Sequence, residues 1–505
     1  MKRRIIWSIA SGLKVQIVSA LSGTGEGSEY LIIYHRVIEL RIFSSNVQTC
    51  QSDSSSSPSQ RSLPANLNNK SRSYNLISMK INEVKISNFK GIDSLNFSPK
   101  MINVIVGRNN AGKTSILEAV NTVLSPSFIE RNYPRDPASV IHYLSFESDV
   151  SLSVSNERNR RLTVRMSRLS PEEVIEKLLQ SAGNEIGWFK SRSVSDLLSK
   201  VLSRDIGDVA HFKDMSDVQL QELVKNTLQS EIAPETIGKI GEDSINVVSG
   251  DRHETYFGQL FRREMNSLVE RVLLNALNIR PEKQEAALSI LSDRIPRFSH
   301  PRGWEGQRAL LRPRHEKAEK TRTLYVRDPL SFLREGNKPS QETALEIENL
   351  IKNEGLVPNL LRFDYGEIVM QTPEGRKTVS FNRMGDGFKA LVSILSLFES
   401  PESPAIILLE EPEVHMHPGY VSELVKHLIR LSEALGIQIF ISTHSFDLIE
   451  SLLAGDEPDI VRNFLRENLL ILRLSKSNDT VIGESIHYDD ATMSLNDLQL
   501  DLRGI

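Results

Sequence analysis

The sequence predicts an α/β fold: a mixed, largely parallel sheet carrying a phosphate-binding loop, an antiparallel β subdomain beside it, and a helical insertion. Three observations predict it. A G-x-x-x-x-G-K-T loop runs from Gly107 to Thr114, between an apolar strand-like run at 101–106 and a helix-like run at 114–120. A continuous apolar run at 405–409 ends in Glu410-Glu411-Pro412-Glu413, which puts acidic side chains at the carboxyl edge of a parallel sheet, where ligands bind. A helix-like stretch at 420–435 then leads to a third buried run at 437–442, closing a βαβ unit that ends at Thr443-His444-Ser445.

The 505 residues suffice for two or three domains, and 39% apolar with 25% charged residues is ordinary for a globular protein. A net charge of −4 gives no global attraction to nucleic acid, so any polyanion contact needs a local basic patch. The single cysteine, Cys50, excludes an intramolecular disulfide and the usual cysteine zinc sites, and suits a reducing compartment. Lys2-Arg3-Arg4 before Ile5-Ile6-Trp7 looks like the start of a signal peptide, but Lys14 interrupts the apolar run and no 18-residue hydrophobic span follows. No membrane partner and a cytoplasmic location are expected. Residues 51–73 are rich in Ser, Asn, Gln and Pro, a composition that cannot bury enough to fold. Residues 1–78 are therefore expected to be a disordered or non-native extension, with ordered sequence beginning at Met79.

Residues 80–86 alternate polar and apolar like a half-buried strand, followed by Ser87-Asn88-Phe89-Lys90-Gly91-Ile92. In the loop, Gly107 and Gly112 let the backbone curl. The backbone N–H groups of Asn109, Asn110, Ala111, Gly112, Lys113, Thr114 and Ser115 can then face phosphates at a helix N-terminus. Lys113 reaches the terminal phosphates as a point charge, and Thr114 would hold Mg²⁺. Segments 150–154 and 162–166 alternate as two paired strands, completing an antiparallel subdomain. Ser170-Pro171-Glu172-Glu173 reads as a capping box opening a helix, and Leu260, Phe261, Leu268, Val272 and Leu273 mark another. Breaks expected at Gly183, Gly187, Pro234 and Pro281 argue for a compact helical lobe rather than a long coiled coil. Segment 294–327 carries ten Arg or Lys against Glu305, Glu316 and Glu319; Arg302, Trp304, Arg308, Arg312, Arg314 and Lys317 could form a DNA-facing strip, or a solvated loop. The turn containing Gly385, Asp386 and Gly387 opens a helix-like run and offers a second anion site. Glu410 would orient Mg²⁺, Glu411 would accept a proton from the attacking water, and His444 lies beside the phosphates as a γ-phosphate sensor. The chain thus divides into an extension (1–78), two parts of one head (79–169 and 321–505) and a helical insertion (170–320).

The order of P-loop, glycine-containing signature, acidic strand end and switch histidine resembles ABC-type ATPases of the SMC, RecF and OLD-like branch. The phrases 86–91, 107–114 and 411–418 carry the resemblance, which covers about 79–155 and 320–505. It implies a P-loop NTPase head of ABC type that uses ATP and Mg²⁺ and works as an ATP-dependent homodimer, each signature loop capping the other subunit's γ-phosphate. Two departures stand out: the family's signature serine aligns with Gly385, and its Walker B aspartate is Glu410. No convincing Q-loop glutamine occurs in 125–150. OLD-like nucleases carry a Toprim domain after the ATPase; only 61 residues follow His444 in the 505-residue chain, without an Asp-x-Asp pair, so the chain is expected to cut nothing by itself. His415 and His417 are assigned to the loop after Walker B, with a dimer contact rather than a metal.

The leading expectation is an ATP-hydrolysing dimer acting on DNA or a DNA-processing partner, in repair or anti-phage defence. The alternative is a slow ATP switch that holds a separate effector nuclease, which the Gly385 departure favours. A transporter motor is disfavoured by the long insertion.

Overall fold

A computed structural model describes residues 5–8, 14–17, 80–142, 149–156, 158, 160–191, 212, 214–277, 323–330, 340–398, 405–453, 458–477, 480–496 and 501–502. The chain divides into two units, 1–75 and 76–505. In the first, β1 (Ile5–Ser8) and β2 (Lys14–Ile17) pair antiparallel, with Ile5 opposite Ile17. A two-stranded ribbon by itself is marginal in water. The low-complexity stretch 51–73 lies outside the described residues.

The second unit opens with β3 (Ile81–Phe89), β4 (Ile92–Phe97) and β5 (Ile102–Gly107), which lead into the helix Lys113–Leu124. β6 (Val150–Asn156) and β7 (Arg161–Arg168) pair antiparallel with Leu152 opposite Val164, in the alternation the sequence announces. Then come the helices Pro171–Ser191, Asp217–Glu231 and Pro234–Asp243, the hairpin β8 (Ile245–Ser249) and β9 (Arg252–Tyr256), and the helix Gln259–Ala276. The hairpin corrects the reading of 170–320 as helical: β8 pairs with β7, extending one antiparallel sheet in the order β4-β3-β6-β7-β8-β9. Its alternating Ile245, Val247 and Tyr256 are buried among the apolar residues of β3 and β6.

The capping box is present in both directions, Ser170 N–H donating to Glu173 and Glu173 N–H to the Ser170 hydroxyl. Gly183 and Gly187, expected as breaks, lie inside that first helix. Each glycine costs about 1 kcal/mol relative to alanine there, but Val174, Leu178, Ala182 and Ile186 form a fully buried stripe that outweighs it. Pro234 does begin a helix, at the position where a missing N–H costs nothing. Pro281 lies outside the described residues.

Next come β10 (Thr323–Val326), the helix Gln341–Asn353, a three-stranded sheet of β11 (Leu360–Phe363), β12 (Glu367–Thr372) and β13 (Gly375–Ser380), and the helix Asp386–Phe398. The chain ends with β14 (Ile406–Glu410), the helix Pro418–Leu435, β15 (Gln438–Ser442), β16 (Leu469–Ser477), β17 (Thr480–His487) and the helix Tyr488–Asn496. The second large sheet runs β10-β14-β15-β5-β16-β17; neighbours are parallel until β17, which returns antiparallel. This mixed sheet explains the continuous apolar runs. Ile407, Leu409, Ile439 and Ile441 enter the core shared with the helices 386–398 and 418–435, while Ile406, Leu408 and Phe440 enter the core around the helix Lys113–Leu124. Strands buried on both faces need no polar alternation. Truncating one such side chain, Leu408→Ala, costs about 2–5 kcal/mol.

Candidate nucleotide site

Because β5, β15 and β14 are adjacent and parallel, the segments following them emerge at one edge. That geometry brings together three motifs separated by hundreds of residues in sequence. The loop after β5 is shaped by its glycines. Gly107 has φ +149°, and a Cβ there would lie 2.6 Å from the Leu474 carbonyl oxygen on β16, so no larger residue fits. Gly112 (φ +96°) and Asn110 (φ +63°) take left-handed backbone that glycine and asparagine tolerate best. Arg108, Asn109 and Asn110 form an exposed crest, Ala111 is buried beneath it, and Thr114 and Ser115 are half-buried in the first helical turn.

Lys113 is buried, its ammonium donating to the carbonyls of Gly107 (3.0 Å) and Arg108 (3.2 Å). Burial pushes its pKa below the usual lysine value, opposed by the carboxylates of Glu411 and Glu413. Its Nζ also lies 3.5 Å from His444 Nδ1, while His444 Nε2 lies 3.1 Å from Glu411 Oε1. The His444 ring thus lies between the Lys113 ammonium and the Glu411 carboxylate. Glu411 itself has φ +44° and anchors its N–H on the Ser442 carbonyl at 2.9 Å. Glu413 lies beneath this pair: one oxygen accepts from the Thr443 hydroxyl and, at 3.2 Å, from His444 N–H. Burial raises the Glu413 pKa, and its other oxygen has no hydrogen-bond partner.

Glu410 has a separate set of contacts. One oxygen accepts from the Thr114 hydroxyl at 2.5 Å and the other from the Tyr325 hydroxyl at 2.9 Å, with Arg327 Nε 3.7 Å away. Two hard oxygen donors, Thr114 Oγ1 and Glu410 Oε1, thus meet at the mouth of the P-loop, the donor type Mg²⁺ selects.

Sequence reasoning missed the cluster behind Glu410. Glu118, 1% exposed, accepts from Lys90 and Arg327 and, at 2.8 Å, from the Tyr133 hydroxyl. Arg327 stacks over the rings of Phe128 and Tyr325 at 5.5 and 5.4 Å. Burial lifts Tyr325 and takes Tyr133 to about 12, so both remain neutral donors. The signal available was one charged residue, Glu118, inside the otherwise apolar helical run at 116–120, one turn after Thr114.

The signature turn joins the site differently. Gly387 is buried at the start of its helix, where a Cβ would lie 2.6 Å from the His415 carbonyl oxygen. The turn is therefore packed on the loop that follows Glu413. Gly385 and Asp386 are exposed, and Asp386 pairs with Lys389 at 2.6 Å. His417 caps the helix Pro418–Leu435, its Nδ1 accepting from Gly419 N–H at 3.3 Å. Of the basic segment, 294–322 lies outside the described residues; Arg327 belongs to the Glu118 cluster. Among the described residues no helix is long and apolar enough to cross a membrane.

A family profile described as "AAA domain, putative AbiEii toxin, Type IV TA system" matches residues 102–450. The Old nuclease of Escherichia phage P2 is 22% identical over 408 residues, covering 77% of this chain. The chain spans 60% of that relative's length. An uncharacterized protein of Methanocaldococcus jannaschii is 24% identical over 121 residues, 24% of this chain and all of that protein. Solved structures that align include the SMC head domain from Thermotoga maritima (12% identity, TM-score 0.37, 81% of this chain and 100% of that one). Another is an Smc head domain bound to the C-terminal domain of ScpA, derived from Pyrococcus furiosus (11% identity, TM-score 0.36, 83% of this chain and 99% of that one). The matched span starts at the strand before the P-loop and ends beyond His444, taking in the whole edge where these side chains meet, and the chain belongs to this AAA-domain family.

Proposed function

We propose that the chain binds and hydrolyses ATP with Mg²⁺, and that it does so as an ATP-dependent homodimer. The observation that carries this is the joined edge: Thr114 on Glu410, and Lys113 linked through His444 to Glu411. The loop N–H groups and the Lys113 ammonium neutralise phosphate charge, a role that positions substrate more than it reacts. Mg²⁺, held by Thr114 and Glu410, would add charge stabilisation on the phosphate oxygens. Glu411, 37% exposed beside His444, accepts the proton of the attacking water, and His444 Nε2–H holds the Glu411 carboxylate in orientation. Tyr325 keeps Glu410 aimed at Thr114 by occupying its second oxygen.

Exposure of Gly385 and Asp386 supports the dimer, because an anion-binding turn open to solvent can meet a second copy's nucleotide. The expected biological setting is DNA processing or defence. The Old nuclease relative and the toxin–antitoxin wording of the family description support that setting. A second reading, a slow switch that holds a separate effector nuclease, is favoured by Gly385, which brings no hydroxyl to a γ-phosphate. Measuring phosphate release and ATP binding for the wild type and Lys113→Ala tests the core reading. Loss of both in the variant is expected, and unchanged ATP affinity overturns it.

A further inference from the structure

Away from the nucleotide edge, Glu354, Glu423 and His427 bring one ligand atom each to within 4.8 Å of one another. Glu423 and His427 stand one turn apart on the helix Pro418–Leu435, so both project from one face. Glu354 is the C-cap of the helix Gln341–Asn353, where the helix dipole favours a cation. His427 is 4% exposed, and its Nε2 has no hydrogen-bond partner. Glu423 Oε2 is likewise buried and unpartnered, although its Oε1 accepts from Lys426 at 2.9 Å. Glu354 Oε1 accepts from Arg430 at 3.1 Å. Two buried polar atoms without partners on neighbouring side chains are costly unless something fills the gap between them.

We propose that Glu354, Glu423 and His427 form a divalent metal site of the zinc class that clips the helix Gln341–Asn353 to the helix Pro418–Leu435. One imidazole nitrogen with two carboxylates suits Zn²⁺, which takes mixed N and O ligands in fours, better than Mg²⁺, which prefers oxygen alone. Lys426 and Arg430 each hold one carboxylate oxygen and leave the other for the ion, the outer-shell arrangement that orients ligands. The role is structural, since both clipped helices pack against the helix Asp386–Phe398, whose N-terminus carries the signature turn. The site is independent of the nucleotide reading.

The test uses tag-free full-length protein stripped with chelator, exposed to Zn²⁺ without nucleotide or Mg²⁺, gel-filtered and assayed for metal. The wild type should retain about one zinc per chain and gain several degrees in melting temperature. Glu423→Gln and Glu354→Gln, with unchanged helical circular dichroism, should each retain at least tenfold less, whereas Glu410→Gln should retain the wild-type amount. Cobalt in place of zinc should give the wild type a visible d–d band that both site variants lack, a readout independent of their stability. A wild type that retains no zinc, or site variants that retain as much as the wild type, overturns the proposal.

Discussion

Around the P-loop the polar side chains find partners within the chain: Thr114 on Glu410, Glu410 on Tyr325, Glu118 on Lys90, Tyr133 and Arg327, and His444 between Lys113 and Glu411. The signature turn is the opposite case. Its inner glycine, Gly387, is fixed against the loop after Glu413, but Gly385 has nothing within 4 Å of where a Cβ would stand. One region is over-determined from within and the other is presented outward. The lesson is that the first half can be judged by stability, whereas the second, on the proposed dimer reading, is judged by ATP-dependent self-association.

The largest effect that separates the two regions is expected from Glu118→Ala. It leaves the ammonium of Lys90 and the guanidinium of Arg327 without their buried carboxylate, a loss of about 2–4 kcal/mol, below the full cost of a broken buried ion pair because Arg327 is 41% exposed and screened by solvent. Chemical denaturation should show a clear fall in midpoint together with weaker ATP hydrolysis. A midpoint at the wild-type value would mean that the cluster does not brace Glu410.

Two glycine substitutions sharpen the contrast within the signature turn. Gly387→Ala forces its methyl group to 2.6 Å from the His415 carbonyl, so either the helix or the Walker B loop must move. A destabilisation of about 1–3 kcal/mol is expected, as for other overpacked sites. Gly385→Ser should leave the melting temperature within a degree or two or raise it slightly, since serine caps helices at least as well as glycine. Faster ATP turnover or tighter ATP-dependent association of Gly385→Ser would restore what the family's serine supplies. No change in either would assign the turn to packing alone.

Much of the P-loop edge was legible in the sequence because its chemistry is local. Gly107 to Thr114 must be contiguous to wrap a phosphate, and Glu410, Glu411 and His444 follow directly from the ends of apolar runs. Glu118, Tyr133, Tyr325 and Arg327 were not legible, because they meet only after β10, β14 and the P-loop helix assemble. The hairpin 245–256 was missed for a similar reason: two five-residue strands carry a short alternation that only pairing with β7 makes decisive. Gly183 and Gly187 do not break their helix because its buried stripe outweighs their low helix propensity. The Glu354, Glu423 and His427 group joins residues about 70 positions apart on two helices, a spacing that no short motif encodes.

A small effect is expected from Glu413→Gln. Burial raises the Glu413 pKa above 4.5, so the folded state binds its proton more tightly than the unfolded chain does. That contribution is fully present below the unfolded value and lost as pH rises through the folded one. The amide still accepts from Thr443 and His444 N–H without a charge to desolvate. The variant should therefore be as stable as the wild type or more so at pH 7, and its stability should fall less as pH rises from acid to neutral. A steeper fall than in the wild type would contradict the assigned direction. The smallest effect should come from deleting residues 1–78, which is expected to leave melting temperature and ATPase rate unaltered; a large fall in either would make the extension part of the fold.

In the proposed mechanism Glu411 is the base of a two-headed ATPase whose Mg²⁺ carboxylate is Glu410. Gel filtration in Mg²⁺-ATP alongside phosphate release, for Glu410→Gln and Glu411→Gln side by side, tests it most directly. Glu411→Gln keeps size and hydrogen bonding but cannot take the water's proton, so it should bind ATP, lose about 10²–10⁴ in rate and accumulate as a dimer. Glu410→Gln should fail to trap that dimer. A Glu411→Gln protein that stays monomeric with ATP while hydrolysing at the wild-type rate would contradict both the catalytic assignment and the paired heads.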